Sequence, residues 1–286
     1  MLLSSLVPTY HPVKGCHVAI LPMQDPPRTA ETFVAENIGL LIERNEILCD
    51  VSLKFPAGEV IALVGHNGSG KSSLLKMLAR QLVPSTGSIS YGNQDLRMYS
   101  ERAFARSVAY LPQDVTTGSE MTVRELVGCG RYPWHGALGR FTQNDEEKVE
   151  DALRATHIET FADRIMGTLS GGERQRAWIA MLIAQDARCL LLDEPTAALD
   201  VAHQVEVLSL VRRLAHESGR SVVIVLHDIN MAARFCDRIH ALKCGRVVAS
   251  GTPNAILAPN TLQEIYGIDM DVISAPNLPY PLAYVC

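Results

Sequence analysis

Residues 65–72, GHNGSGKS, have the residue types and spacing of a phosphate-binding loop, G-x4-G-K-[ST]. Backbone N–H groups of such a loop converge on phosphate oxygens, assisted by the dipole of the helix that follows. Lys71 would contact the β- and γ-phosphates, and the Ser72 hydroxyl would bind Mg²⁺. A structural glycine turn beside a surface lysine is the alternative. The residues predicted to bind nucleotide here are Gly65, His66, Asn67, Gly68, Ser69, Gly70, Lys71, Ser72 and Ser73.

Two adjacent acids end another apolar run, in the sequence CLLLDEP at residues 189–195. Paired carboxylates are costly at the end of a buried strand, because burial and like charge both oppose their ionisation. They therefore indicate a bound cation or a proton transfer, with acids that merely cap a turn as the alternative. We predict that Asp193 binds Mg²⁺ and that Glu194 is the general base for a water that attacks phosphate.

A third motif, LSGGERQR at residues 169–176, places a serine N-cap and two glycines at a predicted helix start. Backbone N–H groups exposed there can meet an anion, although a helix start satisfied by its own cap is the simpler alternative. The phosphate loop already has a helix of its own. Ser170, Gly171 and Gly172 are therefore predicted to contact a nucleotide bound by a partner subunit.

Short apolar runs and amphipathic stretches alternate along the chain and must position these motifs. Such alternation predicts an α/β fold with a mostly parallel sheet. Strands are predicted at residues 33–42, 47–55, 59–64, 107–111, 188–192 and 221–226. Helices are predicted at 71–81, 170–184 and 201–218, with a mainly helical stretch at 122–161.

The composition is that of a globular chain: 286 residues, 47% apolar and 20% charged. It excludes a disordered chain, a fibre and a small disulfide scaffold. With 26 basic and 31 acidic residues the net charge is −5, which argues against nucleic acid as the main partner. The seven cysteines form no CxxC pair, which favours reduced thiols in the cytosol. No apolar run reaches the roughly 18 to 20 residues of a spanning helix.

Residues 1–30 contain several prolines and show no sustained period, so we predict a disordered extension before a folded domain at 31–286. A signal peptide is the weaker alternative, because Pro8, Pro12 and Lys14 interrupt the apolar core that it needs. Translation starting at Met23, just before the first predicted element, is a further hypothesis.

The chain resembles the ATP-binding subunit of ABC transporters, from about Thr32 to the C-terminus. The motifs that carry the resemblance occur in the family's order: the phosphate loop, YLPQ ending at Gln113, LSGGERQR, LLLDEP, TAALD at 196–200 and His227 after an apolar run. MTVREL, GRYPWHGALGR at 130–140 and LHDINMAARFCD after the last predicted strand are most similar to ATPases of ferric hydroxamate siderophore importers.

The resemblance implies a P-loop ATPase fold of ABC type. Its parts would be a RecA-like mixed-sheet core, an antiparallel β subdomain and a helical subdomain inserted at about residues 114–168. The cofactors would be ATP and Mg²⁺, with Lys71, Gln113, Glu194 and His227 as catalytic residues. Gln113 would contact Mg²⁺ and the attacking water, and His227 would bond the γ-phosphate and align the water.

Two subunits would enclose two ATP molecules in this family. Ser170, Gly171 and Gly172 would then meet the γ-phosphate bound by the partner, and Asp200 would lie near the partner's phosphate loop. Ile42 stands where the family often stacks an aromatic residue on adenine. An aliphatic contact there predicts loose base selection and appreciable GTP turnover.

The implied partners are a second ATPase subunit, an integral membrane permease and, indirectly, a periplasmic or surface siderophore-binding protein. The subunit would lie peripherally at the cytoplasmic face of the inner membrane. Permease contacts are expected within residues 121–161, at Tyr132, Pro133, Trp134 and His135, with packing inside the helical subdomain as the alternative.

The transported substrate stays open among a hydroxamate siderophore, another ferric siderophore, vitamin B12 and haem. Three other kinds of protein fit less well. ABC ATPases of translation or DNA repair carry two phosphate loops or a long coiled coil, whereas this chain has one loop and no coil. A regulatory module would be expected to lack Glu194 or His227, and exporters usually fuse spanning helices to the ATPase.

Overall fold

The computed structural model describes residues 31–115, 118–135, 139–197, 199–274, 276 and 278–286. The predicted extension at residues 1–30, and with it the choice between Met1 and Met23, lies outside these ranges. Within them, no helix combines the length and the apolar character needed to cross a membrane.

The described residues form twelve strands and ten α-helices. The strands are β1 (Glu31–Ile42), β2 (Asn45–Pro56), β3 (Val60–Val64), β4 (Thr86–Tyr91), β5 (Gln94–Asp95), β6 (Val108–Leu111), β7 (Cys189–Leu192), β8 (Ser221–Val225), β9 (Arg238–Lys243), β10 (Arg246–Gly251), β11 (Met270–Ile273) and β12 (Leu282–Val285). The helices are α1 (Lys71–Leu78), α2 (Glu101–Ser107), α3 (Val123–Cys129), α4 (Tyr132–His135), α5 (Gln143–Ala155), α6 (Gly171–Ala184), α7 (Val201–Ser218), α8 (Ile229–Phe235), α9 (Pro253–Ile256) and α10 (Pro259–Tyr266).

The central sheet has six strands in the order β10-β9-β3-β8-β7-β6. All neighbours pair in parallel except β10, which lies antiparallel to β9 at one edge. Alternate residues of β3 face different cores: Val60, Ala62 and Val64 join one hydrophobic cluster, and Ile61 and Leu63 join the other. The sheet is therefore covered on both faces, as the continuous apolar runs predict.

A second sheet, in the order β2-β1-β4-β5, is antiparallel and covers one face of the central sheet together with α1. Its β1–β2 hairpin turns at Glu43 and Arg44, both with positive φ. The structure thus confirms the predicted mixed-sheet core and antiparallel β region.

Helices α3 to α6 lie between β6 and β7 in the chain, and α6 packs against both α3 and α5. Capping boxes open α3 at Thr122 with Glu125, and α5 at Thr142 with Asp145, so that each pair satisfies donors at a helix start. A buried ion pair between Arg131 Nε and Asp145 Oδ1, at 2.8 Å, ties α5 to the residue before α4. The division at residues 114–168 remains a prediction.

Two sequence predictions were wrong in detail. The helix expected at 71–81 ends at Leu78, because Arg80 adopts the left-handed conformation with φ 59°. The stretch predicted to be mainly helical at 122–161 is so in its described part, where it contains the separate helices α3, α4 and α5. The strand at 221–226 is not the last, since β9 to β12 follow it.

Candidate functional site

Four loops meet at the carboxyl edge of the central sheet. Gly65 follows β3, Gln113 lies two residues beyond β6, Asp193 follows β7 and His227 lies two residues beyond β8. These strands are neighbours in the order β3-β8-β7-β6 and run parallel. Because parallel strands end at a common edge, residues far apart in the sequence come together there.

The loop after β3 encloses the Lys71 ammonium. Lys71 is 4% exposed, and its Nζ donates to the carbonyls of Gly65 at 2.9 Å and His66 at 2.8 Å. Burial lowers the pKa of Lys71, while the charges of Glu194 and Asp193 oppose that shift. The group is thus a buried cation directed at the centre of the loop.

Glycine is required at both ends of this loop. Gly65 has φ 138°, and a Cβ there would overlap the carbonyl oxygen of Leu242 on β9. Gly70 has φ 101° at the N-cap of α1, where a Cβ would lie 2.5 Å from Leu48 Cδ2. The tip residues His66, Asn67 and Gly68 are exposed, and Ser69 and Gly70 are buried beneath them. The exposed tip therefore rests on a tightly packed base.

Two side-chain oxygen atoms that could bind a metal ion lie together beside the loop. Ser72 Oγ, in the first turn of α1, donates to Asp193 Oδ1 at 2.8 Å. Asp193 is 1% exposed, and burial raises its pKa; the Ser72 hydrogen bond opposes this and the charge of Glu194 adds to it. A divalent cation would stabilise the ionised form of such a buried carboxylate.

Glu194 is fixed by two side chains from neighbouring loops. Gln113 Nε2 donates to Glu194 Oε2 at 2.6 Å, and His227 Nε2 lies 2.7 Å from Glu194 Oε1. The Glu194 backbone has φ 50°, a left-handed conformation that non-glycine residues seldom adopt outside turns and functional sites. The structure thus brings Gln113, Glu194 and His227 into one hydrogen-bonded triad.

Ser170, Gly172 and Asp200 form a second cluster at the N-termini of α6 and α7. Ser170 caps α6 in a capping box with Glu173, as the motif predicts. Asp200 caps α7 and accepts from His203 Nδ1 at 2.8 Å. The His203 ring in turn packs on Gly172, where a Cβ would lie 2.5 Å from Cδ2. The residues expected to contact a partner's nucleotide therefore lie close together on this chain. Gly171 belongs to the same group, since it lies between Ser170 and Gly172 in the sequence.

Residues 48–197 match the family described as ABC transporter. The chain belongs to the ABC transporter ATP-binding family. It is 43% identical to the petrobactin import ATP-binding protein of Bacillus anthracis over 231 residues, 81% of this chain and 85% of that one. It is 39% identical to the iron(3+)-hydroxamate import ATP-binding protein of Bacillus subtilis over 251 residues, 87% and 93% of the two chains.

Solved ABC structures share the fold of this ATPase. A chain of a metal-chelate type ABC transporter in an inward-facing conformation has a TM-score of 0.78 at 26% identity, covering 90% of this chain and 97% of its own. A bacterial ABC transporter cassette solved as a dimer has a TM-score of 0.68 at 27% identity, covering 77% and 98%. The protein is an ABC-type ATPase that binds ATP.

Ile42, the candidate adenine contact of this ATPase, lies at the end of β1 and is 42% exposed. It pairs with Asn45 across the β1–β2 hairpin. Its contact with a base therefore stays a prediction.

Tyr266, at the end of α10, was missed by sequence reasoning. Its carbonyl accepts from His66 Nε2 at 2.6 Å, and the two rings meet edge-on with centroids 5.7 Å apart. Because a backbone carbonyl makes the hydrogen bond, no residue type at position 266 signals it in the sequence.

The residues expected to contact a permease are only partly exposed in this ATPase. Tyr132 is 57% exposed, whereas Trp134 is half-buried. Trp134 Nε1 donates to the Gln185 carbonyl at 2.8 Å, and the guanidiniums of Arg106 and Arg131 lie over its ring at 4.9 and 5.0 Å. Trp134 is therefore engaged within this chain, and its contact with a permease stays a prediction.

Proposed function

We propose that this ATPase drives a membrane permease that imports ferric siderophores, with the hydroxamate class as its cargo. The observation that carries the catalytic part is the triad of Gln113, Glu194 and His227 at the edge that also bears the phosphate loop. In it Glu194 is the general base for the attacking water, and His227 and Gln113 hold its carboxylate in place. Lys71 binds the phosphates of ATP through its buried ammonium.

Ser72, Asp193 and Gln113 are the proposed Mg²⁺ ligands. The residues fit the ion, since hydroxyl, carboxylate and amide oxygens are hard donors and the 2.8 Å contact of Ser72 with Asp193 places two of them together. When bound, Mg²⁺ would neutralise charge on the β- and γ-phosphate oxygens. In its absence, the Ser72 hydroxyl partly stabilises the buried Asp193 carboxylate.

Two copies of the chain are proposed to share each nucleotide. The cluster of Ser170, Gly171, Gly172 and Asp200 lies at the starts of α6 and α7, where backbone N–H groups favour an anion. The likeness to a cassette solved as a dimer supports this arrangement. Each site would then take its phosphate loop from one chain and this cluster from the other.

The transport role rests on the relatives. Those named above are ATP-binding proteins for import of petrobactin and of iron(3+)-hydroxamate, and both cover most of this chain. We propose the same kind of partner for this chain: an integral permease, supplied by a siderophore-binding protein, with the ATPase at the cytoplasmic face of the inner membrane. Another ferric siderophore is the second candidate cargo, which the petrobactin relative favours.

The permease is proposed to dock on the helical subdomain, residues 114–168. The 57% exposure of Tyr132 favours this residue as a contact with the permease. The indole of Trp134, in contrast, already contacts Gln185 and two arginines. Tyr132→Ala should keep ATP hydrolysis by the isolated subunit and weaken co-purification with the permease. Full retention of the permease by this variant would remove Tyr132 from the interface.

The proposal is tested by measuring the uptake of radio-iron-labelled ferrichrome into cells that lack this protein and are complemented with its variants. Wild type and the control Glu217→Gln, an exposed acid near the end of α7, should restore uptake. Glu194→Gln should not, because it removes the base but keeps the side-chain shape. If wild type hydrolyses ATP yet fails to restore ferrichrome uptake, the hydroxamate assignment falls, and another ferric siderophore, vitamin B12 and haem are tested next.

A further inference from the structure

The C-terminal segment, meaning the described residues from 259 to 286, contacts the phosphate loop through Tyr266. The Tyr266 carbonyl can only accept, so His66 Nε2 must carry the proton in their 2.6 Å hydrogen bond. The carbonyl belongs to the last turn of α10, where backbone oxygens lack helical partners and the dipole is negative. An imidazole N–H is well suited to that position.

The same His66 also binds Lys71. Its own carbonyl accepts from Lys71 Nζ at 2.8 Å. A continuous series of bonds therefore runs from α10 through the His66 ring and backbone to the ammonium that binds phosphate. A further bond fixes α10 itself, because Lys243 Nζ on β9 donates to the Glu264 carbonyl at 2.6 Å.

A second contact joins the C-terminal segment to the loop that carries His227. Asn230, in the first turn of α8, donates through Nδ2 to the Ala283 carbonyl at 3.0 Å and accepts from the Ala283 N–H at 2.8 Å. The side-chain amide thus pairs with β12 as a neighbouring strand would. α8 begins two residues after His227, so this pair fixes the start of the helix beside the triad.

The Tyr266 side chain shares a cleft with the phosphate loop and with His227. Gly65, His66, Asn67, His227 and Tyr266 line one cleft at the edge of the site. Burial, reinforced by the charge of Asp228, raises the pKa of Tyr266 to about 12, so its hydroxyl stays neutral. Within the described part of the chain this hydroxyl has no hydrogen-bond partner. The ring and the backbone, rather than the hydroxyl, make the contacts.

We propose that the C-terminal segment positions the phosphate loop and the His227 loop for hydrolysis, with Tyr266 and Asn230 as the positioning residues. Tyr266 acts through His66 on Lys71, and Asn230 acts through the start of α8 on His227. The inference rests on the ATPase activity alone and is independent of the transported cargo.

Paired substitutions at Tyr266 separate positioning from mere packing. Tyr266→Phe keeps the ring and removes only the unpartnered hydroxyl, so kcat and the Kd for ATP should stay within about twofold of wild type. Tyr266→Leu removes the ring that packs on His66, and we expect a Kd for ATP about tenfold weaker with a lower kcat, since small misplacements of binding groups carry effects of that size. Equal behaviour of both variants would overturn the role of the ring.

Asn230→Asp tests the second contact with little change in shape. It replaces the donor by an acceptor facing the Ala283 carbonyl, so kcat should fall about tenfold while the Kd for ATP is unchanged. Asn254→Asp, at an exposed position in α9, is the matched control and should leave both constants unchanged. A loss of stability with unchanged kcat and Kd would show that Asn230 is only structural and would overturn its proposed role.

His66→Phe is the further variant if Tyr266→Leu does not fold. It keeps an aromatic ring at the exposed loop tip but cannot donate to the Tyr266 carbonyl, so the Kd for ATP should again rise. An unchanged Kd in a folded variant would contradict the connection from α10 to Lys71. All variants are compared with full-length wild type, and a wild type that lacks ATPase activity would count against the assigned activity rather than against positioning.

Discussion

His240, on β9, makes the stability of this ATPase depend on pH. The residue is 2% exposed, its Nδ1 lies 2.8 Å from Ser250 Oγ, and its ring meets the Phe55 ring edge-on at 5.3 Å. Burial lowers the pKa of His240 to about 4; a backbone hydrogen bond with Lys54 opposes this shift, and the charge of Arg238 adds to it. The folded protein therefore keeps this imidazole neutral at pH values where the unfolded chain is protonated.

The sign and size of the effect follow from the two pKa values. Above the unfolded pKa of about 6.5 both states are neutral, and His240 imposes no penalty. Between pH 6.5 and 4 the unfolded chain binds a proton on this residue that the folded state does not bind. The free energy of unfolding therefore falls by about 1.4 kcal/mol for each unit by which the pH is lowered. Between pH 7 and pH 5 the loss amounts to about 2 kcal/mol, which is a large part of a typical domain stability.

Urea unfolding at pH 7, 6 and 5 measures this loss as a change in the free energy of unfolding. His240→Gln should be less stable at pH 7 but should lose about 2 kcal/mol less than wild type on going to pH 5. His157→Gln, at an exposed position after α5, should follow the wild-type pH dependence. Identical slopes for wild type and His240→Gln would refute the reasoning.

Three further predictions concern the site and the helical region. Glu194→Gln should lower phosphate release from ATP by a factor of about 10² to 10⁴ with little change in ATP binding, because only the base is lost. Asp145→Asn should reduce the free energy of unfolding by about 3 to 5 kcal/mol in urea, since it leaves Arg131, 3% exposed, without its ion-pair partner. With Ile42 in the place of a stacking aromatic, GTP should compete appreciably with ATP for turnover, and Ile42→Tyr should favour ATP.

Each of these three predictions would be contradicted by a specific result. Phosphate release by Glu194→Gln at the wild-type rate would move the general base elsewhere. An unchanged urea midpoint for Asp145→Asn would mean that water screens the Arg131 guanidinium. Strict selection of ATP over GTP by wild type would show that base recognition does not depend on position 42.

The parts of the site that the sequence predicts are those encoded by short local patterns. An apolar run, glycines at fixed spacing and Lys71 determine a strand, a loop and a helix start, and the structure has all three. Asp193 and Glu194 are predictable because two acids at a buried strand end have few structural explanations. To predict the triad with Gln113 and His227, the order of β6, β7, β8 and β3 in the sheet must also be known. The family resemblance supplies this order, whereas local periodicity alone does not.

Contacts between distant segments cannot be predicted from local sequence patterns. The end of α1 depends on the left-handed backbone of Arg80, which no apolar period signals. The burial of Trp134 depends on Arg106, Arg131 and a carbonyl at Gln185, each in a different segment. Similarly, the adjacency of Gly172 and Asp200 becomes visible only through the ring of His203 that lies between them.

The C-terminal contacts share one property that explains why no motif marks them. His66 binds a backbone carbonyl of Tyr266, and Asn230 binds the backbone of Ala283, so in each pair one partner is main chain. Many residue types at positions 266 and 283 would offer the same groups, and only the path of the backbone decides whether they are in reach. Motif patterns therefore describe the groups that touch phosphate, whereas the groups that position them must be sought in the folded chain.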